Sequence, residues 1–286
     1  MNRRMIINAV GLVLRVEAVL LLLPAIVCIL YGEKQTLIAF LISAAISLLL
    51  GLLPKLFLKP KTHVIYAKEG FIIVAFTWIM LSLVGAVPLV LAGAVTSYAD
   101  AFFEIVSGFT TTGSSVIPDV EVLSHGALFW RSFTHWVGGM GIIVFVMAIL
   151  PNVSERPIHI LRAEIPGPTV GKLVPRIKDT ALILYLIYIG MTVIETIMLL
   201  FGGMSFFESL LHAFGTAGTG GFGIKRDSIA GYSPYIQWVI TAFMILFGIN
   251  FNLYYLMLLK KFKAVVTSTE LWAYLGIIAS SIAVIS

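Results

Sequence analysis

Seven apolar stretches, at about 9–31, 36–54, 70–93, 126–150, 180–202, 234–259 and 269–286, dictate what this chain can fold into. Each approaches the roughly 20 residues that a helix needs to cross a bilayer. The sequence therefore predicts six complete spans and a seventh that stops early. Continuous apolar runs of this length specify helices, whose backbone hydrogen bonds are all made within the segment. The composition agrees. At 59% hydrophobic and 12% charged residues, with a mean hydropathy of +1.03, the chain lies far from the usage of soluble domains. Arg15 and Glu17 interrupt the first stretch, no small-residue cleavage site follows, and a second span comes at once. That stretch is expected to remain as a helix rather than leave as a signal peptide.

Charge sets the expected topology. The net charge is +5 and the isoelectric point near 9.3, but the basic residues sit between apolar spans instead of on one surface, which argues against nucleic acid. With a cytoplasmic N-terminus, fourteen of the nineteen Lys and Arg residues fall in inner segments, as the positive-inside rule requires. The single cysteine, Cys28, offers neither a disulfide pair nor a zinc cluster.

Two outer segments differ from ordinary loops. Residues 97–115 read SYADAFFEIVSGFTTTGSS and residues 205–223 read SFFESLLHAFGTAGTGGFG. Each starts as a short apolar helix of some eight to ten residues, too short to cross a bilayer, and ends in Gly and Thr. Ser205 and Glu208 fit a capping box, and Ser97 or Asp100 is placed to cap the other helix. Apolar half-helices that turn back as Gly/Thr loops are re-entrant segments, tolerated where protein or water surrounds the bare backbone. The expected fold class is thus an all-α polytopic membrane protein of potassium-channel-like type, with span, re-entrant half-helix and span as its repeat.

The two segments also match each other. Phe102-Phe103-Glu104 pairs with Phe206-Phe207-Glu208, and Thr112-Gly113 with Thr219-Gly220, if the second copy takes three extra residues. Gly113 to Gly141 and Gly220 to Gly248 are both 28 residues. The organisation read from this is an N-terminal helix pair at 1–55, a first pore repeat at 69–150, a cytoplasmic connector at 151–178, a second pore repeat at 179–260, and a truncated first helix of a third repeat at 269–286.

Glycine-rich loops of this kind suit a cation. A dehydrating ion needs oxygens in place of its water shell, and backbone carbonyls aimed at one axis supply them. Glycine permits that backbone, Thr110, Thr111 and Thr112 add hydroxyls or brace the loop, and the half-helix C-terminus presents partial negative charge. Residues 218–223 also satisfy the G-x-G-x-x-G dinucleotide pattern. That pattern works after a strand and at the positive start of a helix, whereas here the glycines follow a helix.

The stretches FFEIVSGFTTTGSSV, WVGGMGIIVFVMAILP, LRAEIPGP, PRIKDTALILYLIY and HAFGTAGTGGFG resemble, in order and spacing, the membrane subunit of Trk-type potassium uptake systems within the Trk/Ktr/HKT superfamily. The resemblance covers nearly the whole chain. It implies four repeats in the complete family fold, each giving one filter loop, so this chain is expected to hold two and to be a fragment, a truncated product or one part of a split transporter. It places Gly113 and Gly220 at the filter glycines, with Thr111, Thr112, Thr219, Gly218 and Gly221 around them. It further implies potassium as the bound ion, no organic cofactor, a cytosolic nucleotide-binding regulatory subunit docked on the connector, a homodimer when full length, and the cytoplasmic (inner) membrane as location. Glycine at position 113, where some relatives that pass sodium have serine, leans toward potassium.

Other polar residues carry two readings each. Glu104 and Glu208 either place charge near the outer mouth or cap and hydrogen-bond locally. Arg131 either lies near the ion path or acts as an interfacial anchor or partner of Glu104. Asn250 and Asn252 either face a cavity below the filter or bond across helices. Glu195 is an intramembrane carboxylate without a visible partner. His135 and His212 stand far apart with no carboxylate or Cys at ligand spacing. Gly138, Gly139 and Gly141 form a small-residue face for close helix packing. The leading function is potassium uptake without covalent chemistry. The alternatives are a non-conducting assembly fragment, or an intramembrane hydrolase using Ser107, Ser114 or Ser115, for which no paired base is evident.

Overall fold

A computed structural model describes residues 3–57, 67–141 and 177–285. Most of the expected connector at 151–178, and the inner half of the fourth apolar stretch, lie outside the described residues. Within them the chain is helical, with no strands.

The apolar stretches form the long helices. Helices α1 (Arg3–Leu20) and α2 (Leu22–Tyr31) join through Leu21, which keeps right-handed helical angles, into one 29-residue span. Gly32 ends it in the left-handed conformation, and α3 (Lys34–Phe57) returns beside it. Helices α4 (Ala67–Leu91) and α7 (Ile177–Phe201) are the next two spans, each 25 residues long. Among the described residues four helices, with α1 and α2 counted as one, are thus long and apolar enough to cross a membrane. The expected sixth span is not straight. It is divided into α9 (Pro234–Phe247) and α10 (Phe251–Leu258), bent by 86°. Gly248 closes α9, and Asn250 starts α10 by accepting the Asn252 N–H at 3.0 Å. The Asn250 side chain thereby satisfies one of the N–H groups that the start of a helix leaves without a partner. The chain continues through α11 (Phe262–Val266) to α12 (Thr269–Ile285).

Between the spans lie two short helices, α5 (Tyr98–Phe109) and α8 (Phe206–Ala217). Each has 12 residues, a little longer than the eight to ten read from the sequence and still too short to span. Helix α6 (His125–Met140) packs against both of them. It is the most buried element, and its aromatic side chains tie it to its neighbours. The Trp130 indole donates to the Gly85 carbonyl of α4 at 2.9 Å, and the Trp136 indole to the Thr192 hydroxyl of α7 at 3.1 Å. Tyr188 of α7 donates to the Trp136 carbonyl at 2.8 Å. The core therefore centres on α6, with one half-helix on either side of it.

Candidate functional site

The loops that follow α5 and α8 are built alike. After α5 the helix closes with Thr110, and Thr111 takes a left-handed φ of 56°. The Thr111 N–H bonds the Gly108 carbonyl and the Thr112 N–H the Ser107 carbonyl, both at 2.9 Å. This is a Schellman cap, with threonine where glycine is usual. After α8 the cap is Gly218, and Thr219 takes φ 58°. Two residues further on, Gly113 has φ 75° and Gly221 φ 71°. A β-branched residue in the left-handed region is an outlier, costing on the order of 1–2 kcal/mol. Its presence twice at equivalent places marks both loops as functional candidates.

These angles correct the register read from sequence. Ser97 and Ser205, Phe109 and Ala217, Thr111 and Thr219, and Gly113 and Gly221 hold matching positions at one constant spacing. No three-residue insertion is needed, and the backbone partner of Gly113 is Gly221 rather than Gly220. Phe-Phe-Glu pairing failed as a guide because identical side chains sit at different heights in the two helices. Glu104 faces inward near the middle of α5, while Glu208 lies in the first turn of α8.

Each predicted site residue can now be placed. Gly113 and Gly220 meet where the loops touch: a Cβ on Gly113 would run into the Gly220 carbonyl, and one on Gly220 would stand 2.6 Å from the Thr111 oxygen. Below this contact lies a cavity of about 610 Å³, lined by Thr110, Thr111, Gly218 and Thr219 from the loops, by Gly138–Gly141 of α6 and by Gly248–Asn252 at the α9–α10 break. Both half-helices end at its edge, so their partly negative C-termini face it. The Thr110 hydroxyl bonds the Val106 carbonyl at 2.7 Å and the Thr112 hydroxyl at 2.8 Å, bracing the first loop. Asn250 lines the cavity and also donates to both Glu270 carboxylate oxygens at 3.2 and 3.0 Å.

Behind the loops sits a buried polar group. The Arg131 Nε donates to Glu104 at 2.5 Å, and both side chains are almost wholly buried. Glu104 also accepts the Ser115 hydroxyl at 2.9 and 3.1 Å and the Val116 N–H at 3.0 Å. The Arg131 Nη1 donates to the Gly223 carbonyl at 2.7 Å, and its guanidinium lies 3.6 Å from the centre of the Phe222 ring. The Gly220 N–H donates to His135 Nε2 at 3.1 Å, which requires the ring proton on Nδ1. Glu208, in contrast, forms the reciprocal capping box with Ser205. Glu195 is fully buried on α7 beside Thr216.

Sequence reasoning weighed His135 only as a metal ligand, and it missed Gly223 and Glu270. Arg131 and His135 stand four apart in an apolar span, a spacing that puts two polar groups on one helix face, but no sequence signal names a backbone carbonyl as partner. Among the described residues no cluster of His, Cys, Asp or Glu is arranged to hold a metal. Of the serines weighed for hydrolysis, Ser115 is bonded to Glu104, and the His125 ring pairs with Glu33 at 2.9 Å.

Apolar spans, two re-entrant half-helices and facing glycine loops over one cavity define a polytopic helical membrane protein with paired re-entrant segments. The defining sequence pattern of TrkH, described as cation transport protein, matches residues 36–276. The chain belongs to the TrkH cation transport protein family. It is 36% identical over 262 residues to the Trk system potassium uptake protein TrkH of Escherichia coli K12, covering 90% of this chain and 54% of that protein. The TrkG protein of the same organism, also named a Trk system potassium uptake protein, is 31% identical over 99% of this chain and 59% of its own length. The crystal structure of the potassium transporter TrkH from Vibrio parahaemolyticus superposes with a TM-score of 0.76 at 32% identity, over 96% of this chain and 54% of that one. The chain spans about half the length of the curated relatives it matches.

Proposed function

We propose that this chain contributes half of a potassium uptake pathway. One observation carries the reading: two half-helices end at the edge of a single cavity in loops that share a left-handed Thr and, two residues on, a left-handed Gly. In this reading Thr111, Thr112, Gly113 and, on the other side, Gly218 to Gly221 offer backbone oxygens to a dehydrated potassium ion. The negative ends of α5 and α8 lower its energy in the cavity. The membrane potential then draws it inward at ~2.3 kcal/mol per charge per 100 mV. No bond is made or broken. The N-terminus is cytoplasmic and the filter faces outward, in accord with the distribution of Lys and Arg. Residues 69–150 and 179–260 act as pore repeats beside an N-terminal pair at 1–55, and the basic segment 151–178 receives a cytosolic nucleotide-binding regulatory subunit. The full-length protein works as a homodimer in the inner membrane.

Flux is the test. Full-length protein in proteoliposomes, driven by an inside-negative potential, is expected to take up labelled potassium or rubidium faster than sodium. Equal uptake of all three, or none above protein-free vesicles, refutes the reading.

A further inference from the structure

Helix α6 reaches the second filter loop directly and the first through Glu104 of α5, by side chains that the ion does not need to meet. Arg131 and His135 are one turn apart. Arg131 holds the Gly223 carbonyl beyond the second loop and, through Glu104, the Ser115 hydroxyl and Val116 N–H beyond the first. His135 accepts the Gly220 N–H. In the first loop the equivalent N–H, of Thr112, closes the helix cap on Ser107. In the second loop the Gly221 N–H reaches the Gly215 carbonyl instead, at 3.2 Å. In the second loop the Gly220 N–H thus goes to His135 in place of a cap carbonyl, and the carbonyl of the same residue lies against Gly113.

We propose that Glu104, Arg131 and His135 are positioning residues, a clamp that fixes how far apart the two loops stand and so sets cation selectivity by geometry rather than by charge. The inference rests on the ion pathway proposed above. A buried ion pair is often no more stabilising than apolar residues of the same volume, so burying one here makes sense where its directional bonds matter. The Glu104–Arg131 pair is neutral as a unit, which leaves little net field on a passing ion. Its contacts all end on loop backbone, on the loop hydroxyl of Ser115 or on Phe222. The ring of His135 also fills the space beside Gly218 and Gly220, where any Cβ on either glycine would collide with it.

Charge and geometry separate in one pair of variants. Arg131→Lys keeps the charge, but an ammonium lacks the planar fork that reaches Glu104 and Gly223 together; Arg131→Gln removes the charge as well. In full-length protein reconstituted as above, both are expected to lower the potassium-to-sodium uptake ratio by about tenfold, the worth of one hydrogen bond to a charged group. His135→Leu should do the same, and His135→Gln, whose amide oxygen can accept the Gly220 N–H, should recover part of the ratio. A wild-type ratio in Arg131→Lys with a changed one in Arg131→Gln would overturn the clamp in favour of charge. Unchanged ratios in all four, with only a lower melting temperature, would reduce these residues to structural support. If the Arg131 variants do not fold, the His135 pair decides: equal ratios in Leu and Gln variants overturn the clamp. Absence of flux in the parent protein condemns the pathway itself, a result distinct from any of these.

Discussion

Gly113 and Gly221 hold the same backbone conformation but differ in surroundings, and that difference predicts unequal consequences. At Gly113 an added Cβ meets both a left-handed φ and the Gly220 carbonyl. At Gly221 the φ is similar, yet the nearest group is the Met244 methyl at 3.6 Å. Gly221→Ala should cost only the conformational strain, on the order of 1–2 kcal/mol, read as a lower melting temperature in detergent with the uptake ratio little changed. Gly113→Ser carries that strain and pushes the loops apart, so it should also reduce potassium-over-sodium discrimination by about tenfold, roughly 1.4 kcal/mol. An unchanged ratio in Gly113→Ser would refute the role in selectivity proposed for Gly113. Sequence made all these glycines visible; it could not rank them, because the ranking depends on what stands opposite each one.

At the scale of the element, the two half-helices start by different means. Ser205 at the head of α8 accepts the Glu208 N–H, and Glu208 returns the bond to the Ser205 N–H at 3.2 Å. Ser97 holds the same position before α5 in the same extended conformation but makes no side-chain cap bond. Ser205→Ala should therefore destabilise by about 1 kcal/mol, whereas Ser97→Ala should fall within the ±0.5 kcal/mol of an ordinary surface change. Thermal melts of the two variants in one detergent check the contrast, and equal shifts would contradict it. The capping box was legible from four consecutive residues, since both partners lie within one turn. The break between α9 and α10 was not: Gly248 and Asn250 are compatible with a continuous helix until the Tyr274 hydroxyl packs against Gly248 and Glu270 takes hold of Asn250.

Across the whole molecule, one acidic residue adds polar bonds to the apolar packing that holds the N-terminal hairpin against α4 and α6. Glu33, in the turn between α2 and α3, accepts the His125 N–H at 2.7 Å and the Gly126 N–H at 3.0 Å at the positive start of α6, and the His125 ring stacks on Tyr31 with centroids 3.7 Å apart. Burial alone would raise the Glu33 pKa; the two N–H groups and the His125 imidazole outweigh it and hold the carboxyl below its ordinary value. A depressed carboxylate stabilises the fold above its unfolded pKa, and that stabilisation is lost as pH falls through the folded value. Acidification below about pH 4.3, the ordinary value for Glu, should loosen the hairpin. Glu33→Gln should melt lower than the parent at neutral pH and show a shallower fall of melting temperature on the acid side. Parallel curves would exclude this contribution from Glu33.

The seven apolar runs, the two Gly/Thr segments and the Ser205–Glu208 cap determined an all-helical membrane fold with paired re-entrant loops, because period, length and local capping act between neighbours in the chain. Tertiary structure alone decided the register of the loops, the bend after Gly248, and the union of Glu104, Arg131 and His135 behind the two Gly/Thr loops. Those depend on groups such as Gly223 and Arg131, 92 residues apart, and on backbone carbonyls, which every residue carries and no sequence distinguishes.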